Sequence, residues 1–113
     1  MYSNRNPIRA DRIRQIPRSF SWIDRELLHQ RFIHALSHEE LLLYFFLVLV
    51  AGPEGTSFWS HQRIGEILKL TEDEVLEALR SLIKRDLIAF RYPTFQVLSL
   101  PKSKILEGEG GER

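Results

Sequence analysis

The sequence predicts a mainly α-helical domain that ends in a small antiparallel β-hairpin. Two capping-box patterns, Ser37 with Glu40 and Thr71 with Glu74, each precede apolar residues suited to a helix. Two β-prone runs, residues 87–90 and 95–100, flank a short spacer rich in turn residues. Because 43% of the 113 residues are hydrophobic, we expect one compact core with tails.

Composition and local pattern divide the chain into an arm, one domain and a tail. The predicted boundaries are 1–18 for a basic, flexible arm, 19–100 for the domain and 101–113 for a disordered tail. Within the domain we expect a helical segment at 19–34, an apolar helix at 37–51, a helix-turn-helix at 60–86 and a hairpin at 87–100.

Positive charge is concentrated at the start of the chain, although the whole protein carries only +1. Residues 1–31 hold seven arginines against Asp11, Asp24 and Glu26, a local net charge of +4. A phosphate-binding arm and a solvated tail both have this composition, so two interpretations remain open. The arginines of the arm are Arg5, Arg9, Arg12, Arg14 and Arg18.

The segment after Pro17 predicts a short helix that docks on the core. Ser19 or Ser21 is a candidate N-cap. The apolar residues that follow with helical spacing are Trp22, Ile23, Leu27 and Leu28.

Residues 41–50 form an apolar run that favours a helix with no polar face. One face carries Leu41, Phe45, Val48 and Leu49, and the other carries Leu43, Phe46, Leu47 and Val50. A single neighbouring layer cannot bury both faces, because they point in opposite directions. The second face must also be covered, because a large exposed apolar stripe promotes association. We expect residues 22–33 and the equivalent helix of a second copy to cover it together, which makes the chain a possible homodimer.

A turn at residues 52–55 and a short strand at 56–59 precede two helices. Ser60 caps the first, at residues 61–68, and a tight connection at 69–71 leads to the second, which ends near Arg85. In the second helix one sector is apolar, with Val75, Leu76, Leu79, Leu82 and Ile83. The opposite sector is polar, with Asp73, Glu77, Arg80, Ser81 and Lys84.

No pattern for an enzyme, a cofactor or a metal emerges. The chain has no cysteine, its start has no apolar stretch typical of a signal peptide, and its longest apolar run is too short to cross a bilayer. His34 and His38 share metal-ligand spacing but lack a third ligand, and neither a P-loop nor a nucleophile elbow occurs. We therefore expect a cytoplasmic, non-enzymatic protein.

The element order over roughly residues 37–100 resembles the winged helix-turn-helix fold. Residues 57–60 look like the short first strand that leads into the second helix, and residues 79–88 look like the recognition helix running into the wing. The chain is similar to amino-terminal domains of bacterial primosome-loading proteins and plasmid replication initiators, and to small regulators associated with mobile elements.

The resemblance implies binding to double-stranded DNA, in transcription regulation or as a replication or mobile-element accessory factor. In such domains the third helix enters the major groove and the wing contacts the backbone or minor groove. The implied contacts are Arg80, Ser81, Lys84 and Arg85 on the helix, Arg91 and Tyr92 on the wing, Ser60, Gln62 and Arg63 at the second helix, and the arginines of the arm.

The sequence departs from this pattern at the start of the recognition helix. The four carboxylates there, which would meet phosphates unfavourably, are Glu72, Asp73, Glu74 and Glu77. The helix macrodipole explains them without any ligand. A winged helix used for protein contact, without DNA binding, is therefore the alternative hypothesis.

Aromatic side chains offer one more hypothesis, a stacking platform for single-stranded nucleic acid. The aromatic residues concerned are Trp22, Phe58, Trp59, Phe90, Tyr92 and Phe95. We expect most of them in the core. Tyr92, at the predicted hairpin turn, is the candidate for stacking.

Overall fold

A computed structural model describes residues 6–101 of the chain. Arg5 and the part of the predicted tail beyond Pro101 lie outside the described residues. The helices are α1 (Glu26–His29), α2 (Phe32–Ala35), α3 (His38–Val50), α4 (His61–Leu68) and α5 (Glu72–Lys84). The strands are β1 (Thr56–Phe58), β2 (Ile88–Arg91) and β3 (Thr94–Val97).

The central helix α3 begins at the predicted capping box. The Ser37 hydroxyl accepts a hydrogen bond from the backbone N–H of Glu40 at 3.2 Å, and the Glu40 carboxylate accepts one from the backbone N–H of Ser37 at 3.1 Å. Leu43 and Leu47 are fully buried. Helix α3 packs against α5 and β3, so it forms the middle of the core.

Helices α4 and α5 have the bounds that their capping patterns predict, to within one residue. The Ser60 hydroxyl accepts from the N–H of Arg63 at 3.0 Å, and Thr71 and Glu74 form a complete capping box. Lys69 adopts a left-handed conformation with φ of 62°, which ends α4 and turns the chain toward α5. The helix-turn-helix unit is thus specified by local hydrogen bonds.

The sheet contains one strand more than the hairpin, in the order β1-β3-β2, and all its pairs are antiparallel. Gly55 makes the entry into β1 possible, because its φ is +84° and an added Cβ would lie 2.7 Å from the Val97 carbonyl oxygen. The fold class is confirmed: the protein is mainly helical with a small antiparallel sheet, in a layout of helix-turn-helix plus wing.

The segment before α3 differs from the prediction of one capped helix near Ser19 or Ser21. Residues 21–24 are not helical, and two helices of four residues each follow at α1 and α2. The Asp24 carboxylate accepts from the N–H of Glu26 at 2.9 Å, so a turn at Asp24 replaces the expected serine cap. Of the four apolar residues predicted to dock on the core, only Leu27 is buried. Trp22, which lies outside the helices, is 74% exposed, and Ile23 and Leu28 are also exposed.

Two aromatic residues expected in the core are also exposed. Trp22 belongs to the irregular segment, and Phe58 on β1 is 69% exposed. Phe95 is fully buried, whereas Trp59 and Phe90 are partly buried against the core, as expected. Within residues 6–101, no helix has the length and hydropathy needed to span a bilayer.

Candidate nucleic-acid interface

The solvent-exposed stripe of α5 is the central feature of the candidate interface. Asp73, Glu77, Arg80 and Lys84 are all exposed and follow each other at intervals of four, three and four residues, which places them on one line along the helix. The opposite face holds the buried residues Val75, Ala78, Leu79 and Leu82. The stripe is acidic in its first half and basic in its second half.

Cations in the second half of α5 and just after it are available to a ligand. Arg80, Lys84 and Arg85 are exposed, and none of them forms an ion pair with another residue of the described range 6–101. Arg85 directly follows the helix, where its backbone N–H donates to the Ser81 carbonyl at 3.0 Å. Ser81 itself is half-buried, which leaves it less accessible than its charged neighbours.

The wing carries the other two predicted contacts. Arg91 is the last residue of β2 and Tyr92 follows it in the turn, with 85% of its surface exposed. A hydrogen bond of 3.0 Å from the Leu87 N–H to the Leu82 carbonyl joins the end of α5 to β2. Arg85 therefore lies near the start of β2, and Arg91 lies about 10 Å further along the strand.

The start of α4 is exposed but already has local partners. The Arg63 guanidinium contacts the Glu66 carboxylate at 3.2 Å, and its backbone N–H is capped by Ser60. Gln62 is exposed. An exposed pair of this kind is worth about 0–1 kcal/mol, so a phosphate can compete for Arg63.

The basic arm has one internal ion pair. Arg9 donates two hydrogen bonds to the Asp11 carboxylate, at 3.0 and 2.9 Å, beside a 3-10 turn at Ala10–Arg12. This contact raises the pKa of Arg9 and lowers the pKa of Asp11. Arg12, Arg14 and Arg18 are exposed and have no ion-pair partner within residues 6–101.

A cleft of about 630 Å³ lies between the irregular segment, α3 and the chain after β3. Trp22, Asp24, Tyr44 and Leu98 are among its lining residues. Burial, together with the nearby charge of Asp24, raises the pKa of Tyr44. No local sequence pattern indicates this cleft, because its walls come from three distant parts of the chain.

One face of α3 remains uncovered. Leu42, Phe45 and Leu49 are 42%, 52% and 55% exposed and lie at helical spacing. The irregular segment reaches the end of α3, where the Ser21 hydroxyl donates to the Leu49 carbonyl at 2.9 Å. This segment therefore covers only part of the helix, and we call the uncovered residues the α3 stripe.

Two buried polar atoms near the sheet were not singled out by the sequence. The Ser57 hydroxyl and the His61 Nε2 have no hydrogen-bond partner among the described residues. The His61 ring lies against Phe90 and Phe95, with centroids 5.5 and 6.0 Å apart. Within residues 6–101, no three His, Asp or Glu side chains are placed to hold a metal ion.

No protein-family model matches this chain, and no match was found among the curated proteins.

Proposed function

We propose that this protein binds double-stranded DNA through the second half of α5, the wing and the basic arm, as a transcription regulator or a replication or mobile-element accessory factor. The observation that carries the proposal is the α5 stripe opposite the core, where Arg80 and Lys84 are exposed and unpaired within the described range. Free cations on a helix next to a β-wing fit the use of this layout for DNA.

The carboxylates of α5 decide which part of the helix approaches the phosphates. Glu74 has a structural role, because its carboxylate accepts from the N–H of Thr71 at 2.9 Å. Glu72 and Asp73 are in the first turn, where the macrodipole stabilises them. Glu77 has no capping hydrogen bond and lies beyond the first turn, so neither effect explains it. Because it lies on the exposed stripe, its negative charge opposes phosphate binding.

A duplex-binding titration at several salt concentrations tests the proposal. Replacing Arg80→Glu and Lys84→Glu together is expected to flatten the slope of log K against log salt by about 1.8, at about 0.9 per phosphate contact. The matched control is Arg25→Glu with Arg31→Glu, which changes net charge equally at two exposed positions outside the helix-turn-helix unit. Duplex affinity that is equal in both variants would remove the proposal.

Two further variants examine the parts separately. Glu77→Gln is expected to tighten duplex binding, because it removes a negative charge from the stripe. Deleting residues 1–18 is expected to flatten the salt slope by about 4 to 5 if all five arginines contact phosphates. An unchanged slope would identify the arm as a solubilising tail.

The α3 stripe favours self-association of the protein, which is compatible with DNA binding and also fits the second candidate, an interaction module without DNA binding. We propose that the stripe pairs with the same stripe of a second copy, because α3 carries no charged side chain after Glu40 and a two-fold contact brings only apolar groups together. Helix-turn-helix proteins also use dimers to bind paired half-sites. Three side chains cannot supply the roughly 800 Å² per partner of a standard interface, so we expect a weak dimer.

Sedimentation over a range of concentrations tests the dimer. The wild-type chain is expected to gain mass with concentration, whereas Phe45→Glu stays monomeric. Phe58→Glu is the matched control at an exposed phenylalanine of the sheet. A monomer at every concentration, combined with absent DNA binding at low salt, would leave contact with a different protein as the function.

A further inference from the structure

The outward face of the sheet carries an aromatic ring and a cation in one row. Thr94 on β3 pairs with Phe58 on β1 and with Arg91 on β2. Phe95, the next residue along β3, is fully buried, so side-chain alternation places Thr94 and its two partners on the opposite, outer face. The row Phe58–Thr94–Arg91 therefore crosses the whole sheet on its exposed side.

The Phe58 ring is accessible to a ligand. It is 69% exposed, and no aromatic contact within residues 6–101 involves it. The neighbouring outward residues are short or polar: Thr56, Ala89, Thr94 and Gln96. A planar group can therefore lie on the ring without displacing another side chain.

The charge of this face suits an anionic ligand. The outward residues of the three strands include Arg91 and no carboxylate. Arg91 forms no ion pair within the described range. Phe58 and Arg91 are two strands apart, about 10 Å, a separation that a nucleotide can bridge with its base on the ring and a phosphate at the guanidinium.

Tyr92 adds a second aromatic group beside Arg91. It lies in the turn at the end of β2 and is 85% exposed. Two exposed rings together with a nearby cation match the combination by which proteins hold unpaired bases. Bases within a duplex are already stacked on each other, so this face selects single strands.

We propose that the outer sheet face, through Phe58, Arg91 and Tyr92, binds single-stranded nucleic acid. This goes beyond the proposed duplex binding, to which α5 contributes Arg80 and Lys84. The two activities share Arg91, but Phe58 belongs to the single-strand site alone. Variants at Phe58 and on α5 therefore separate them.

Fluorescence anisotropy with a labelled oligo-thymidine of about 10 nucleotides tests this site. Phe58→Ala is expected to weaken binding about 5- to 100-fold, because it removes one stacked base. Phe58→Tyr keeps an aromatic face and is expected to bind as the wild type does. Leu28→Ala is the matched control, since it shortens another exposed apolar side chain, on α1, outside both proposed interfaces.

Equal affinity of Phe58→Ala and the wild-type protein would overturn the proposal, as would equal losses in Phe58→Ala and Phe58→Tyr. No binding of the oligonucleotide at low salt would also overturn it and would leave a polypeptide as the ligand of this face. Duplex affinity is measured on the same variants. Loss of single-strand binding alone in Phe58→Ala supports this site, and loss of duplex binding alone in the α5 variant supports the proposed function.

Discussion

Replacing Gly65 by alanine tests whether the close contact between α4 and the turn at Leu70 holds the helix-turn-helix unit together. A Cβ at this position would lie 2.6 Å from the Leu70 carbonyl oxygen and 3.6 Å from the Val75 Cγ2. The oxygen belongs to the backbone of the turn, and the Leu70 N–H donates to the Gly65 carbonyl at 2.9 Å. The turn must therefore move to admit a methyl group.

The size of the effect follows from two opposing contributions. Alanine in a helix is worth about 0.5–1 kcal/mol relative to glycine. Overpacking a close contact costs about 1–3 kcal/mol. The middle of these ranges gives a net loss of about 1 kcal/mol in the free energy of unfolding, or a fall of about 4–8 °C in Tm for a domain of this size.

Urea denaturation followed by circular dichroism measures this loss. Gly52→Ala is the matched control, because its added Cβ would approach no atom closer than the Thr56 carbonyl oxygen at 3.6 Å. We expect that variant to remain within about 0.5 kcal/mol of the wild type. A Gly65→Ala protein as stable as the wild type, or more stable, would refute the close contact between α4 and the turn at Leu70.

Three further predictions concern the core, a helix cap and a tyrosine. Leu47→Ala is expected to cost about 2–5 kcal/mol in urea denaturation, and Leu42→Ala on the same helix much less, because Leu47 is fully buried and Leu42 is 42% exposed. Thr71→Ala removes the N-cap of α5 and is expected to cost about 1 kcal/mol; no loss would argue against the capping box. The pKa of Tyr44 is raised, so the folded state keeps the phenol proton at a pH where the unfolded state has lost it. The contribution of Tyr44 to the free energy of unfolding is therefore complete below about pH 10 and is lost as pH rises through the folded pKa. Alkaline denaturation is therefore expected to be less steep in Tyr44→Phe, and equal slopes would contradict the assignment.

The helix-turn-helix unit could be predicted because its determinants are close together in sequence. The hydroxyl of Thr71 and the carboxylate of Glu74 are three residues apart and form both bonds of the capping box. The apolar residues of α5 repeat with the helical period, so its buried face was also predictable. By contrast, the helix expected near Ser19 had no comparable pair of cap residues, and the structure begins α1 only at Glu26.

The candidate sites depended on contacts between distant residues. Strand β1 has three residues, too few for an alternating pattern to show which side chains point inward. Its pairing with β3, which sets Ser57 opposite the buried Phe95, turns Phe58 outward. In the same way, the run at residues 41–50 is apolar all round, and only packing against α5 and β3 decides that Phe45 and Leu49 remain exposed.

The amino-acid sequence by itself determined the class of fold, the caps of the three longer helices and the charged stripe of α5. These features depend on hydrogen bonds and side-chain spacing within a few residues. Tertiary structure alone decided the pairing of β1 with β3, the outward direction of Phe58 and the uncovered face of α3. Each of these depends on which distant surfaces meet, and a local pattern of residues does not specify that.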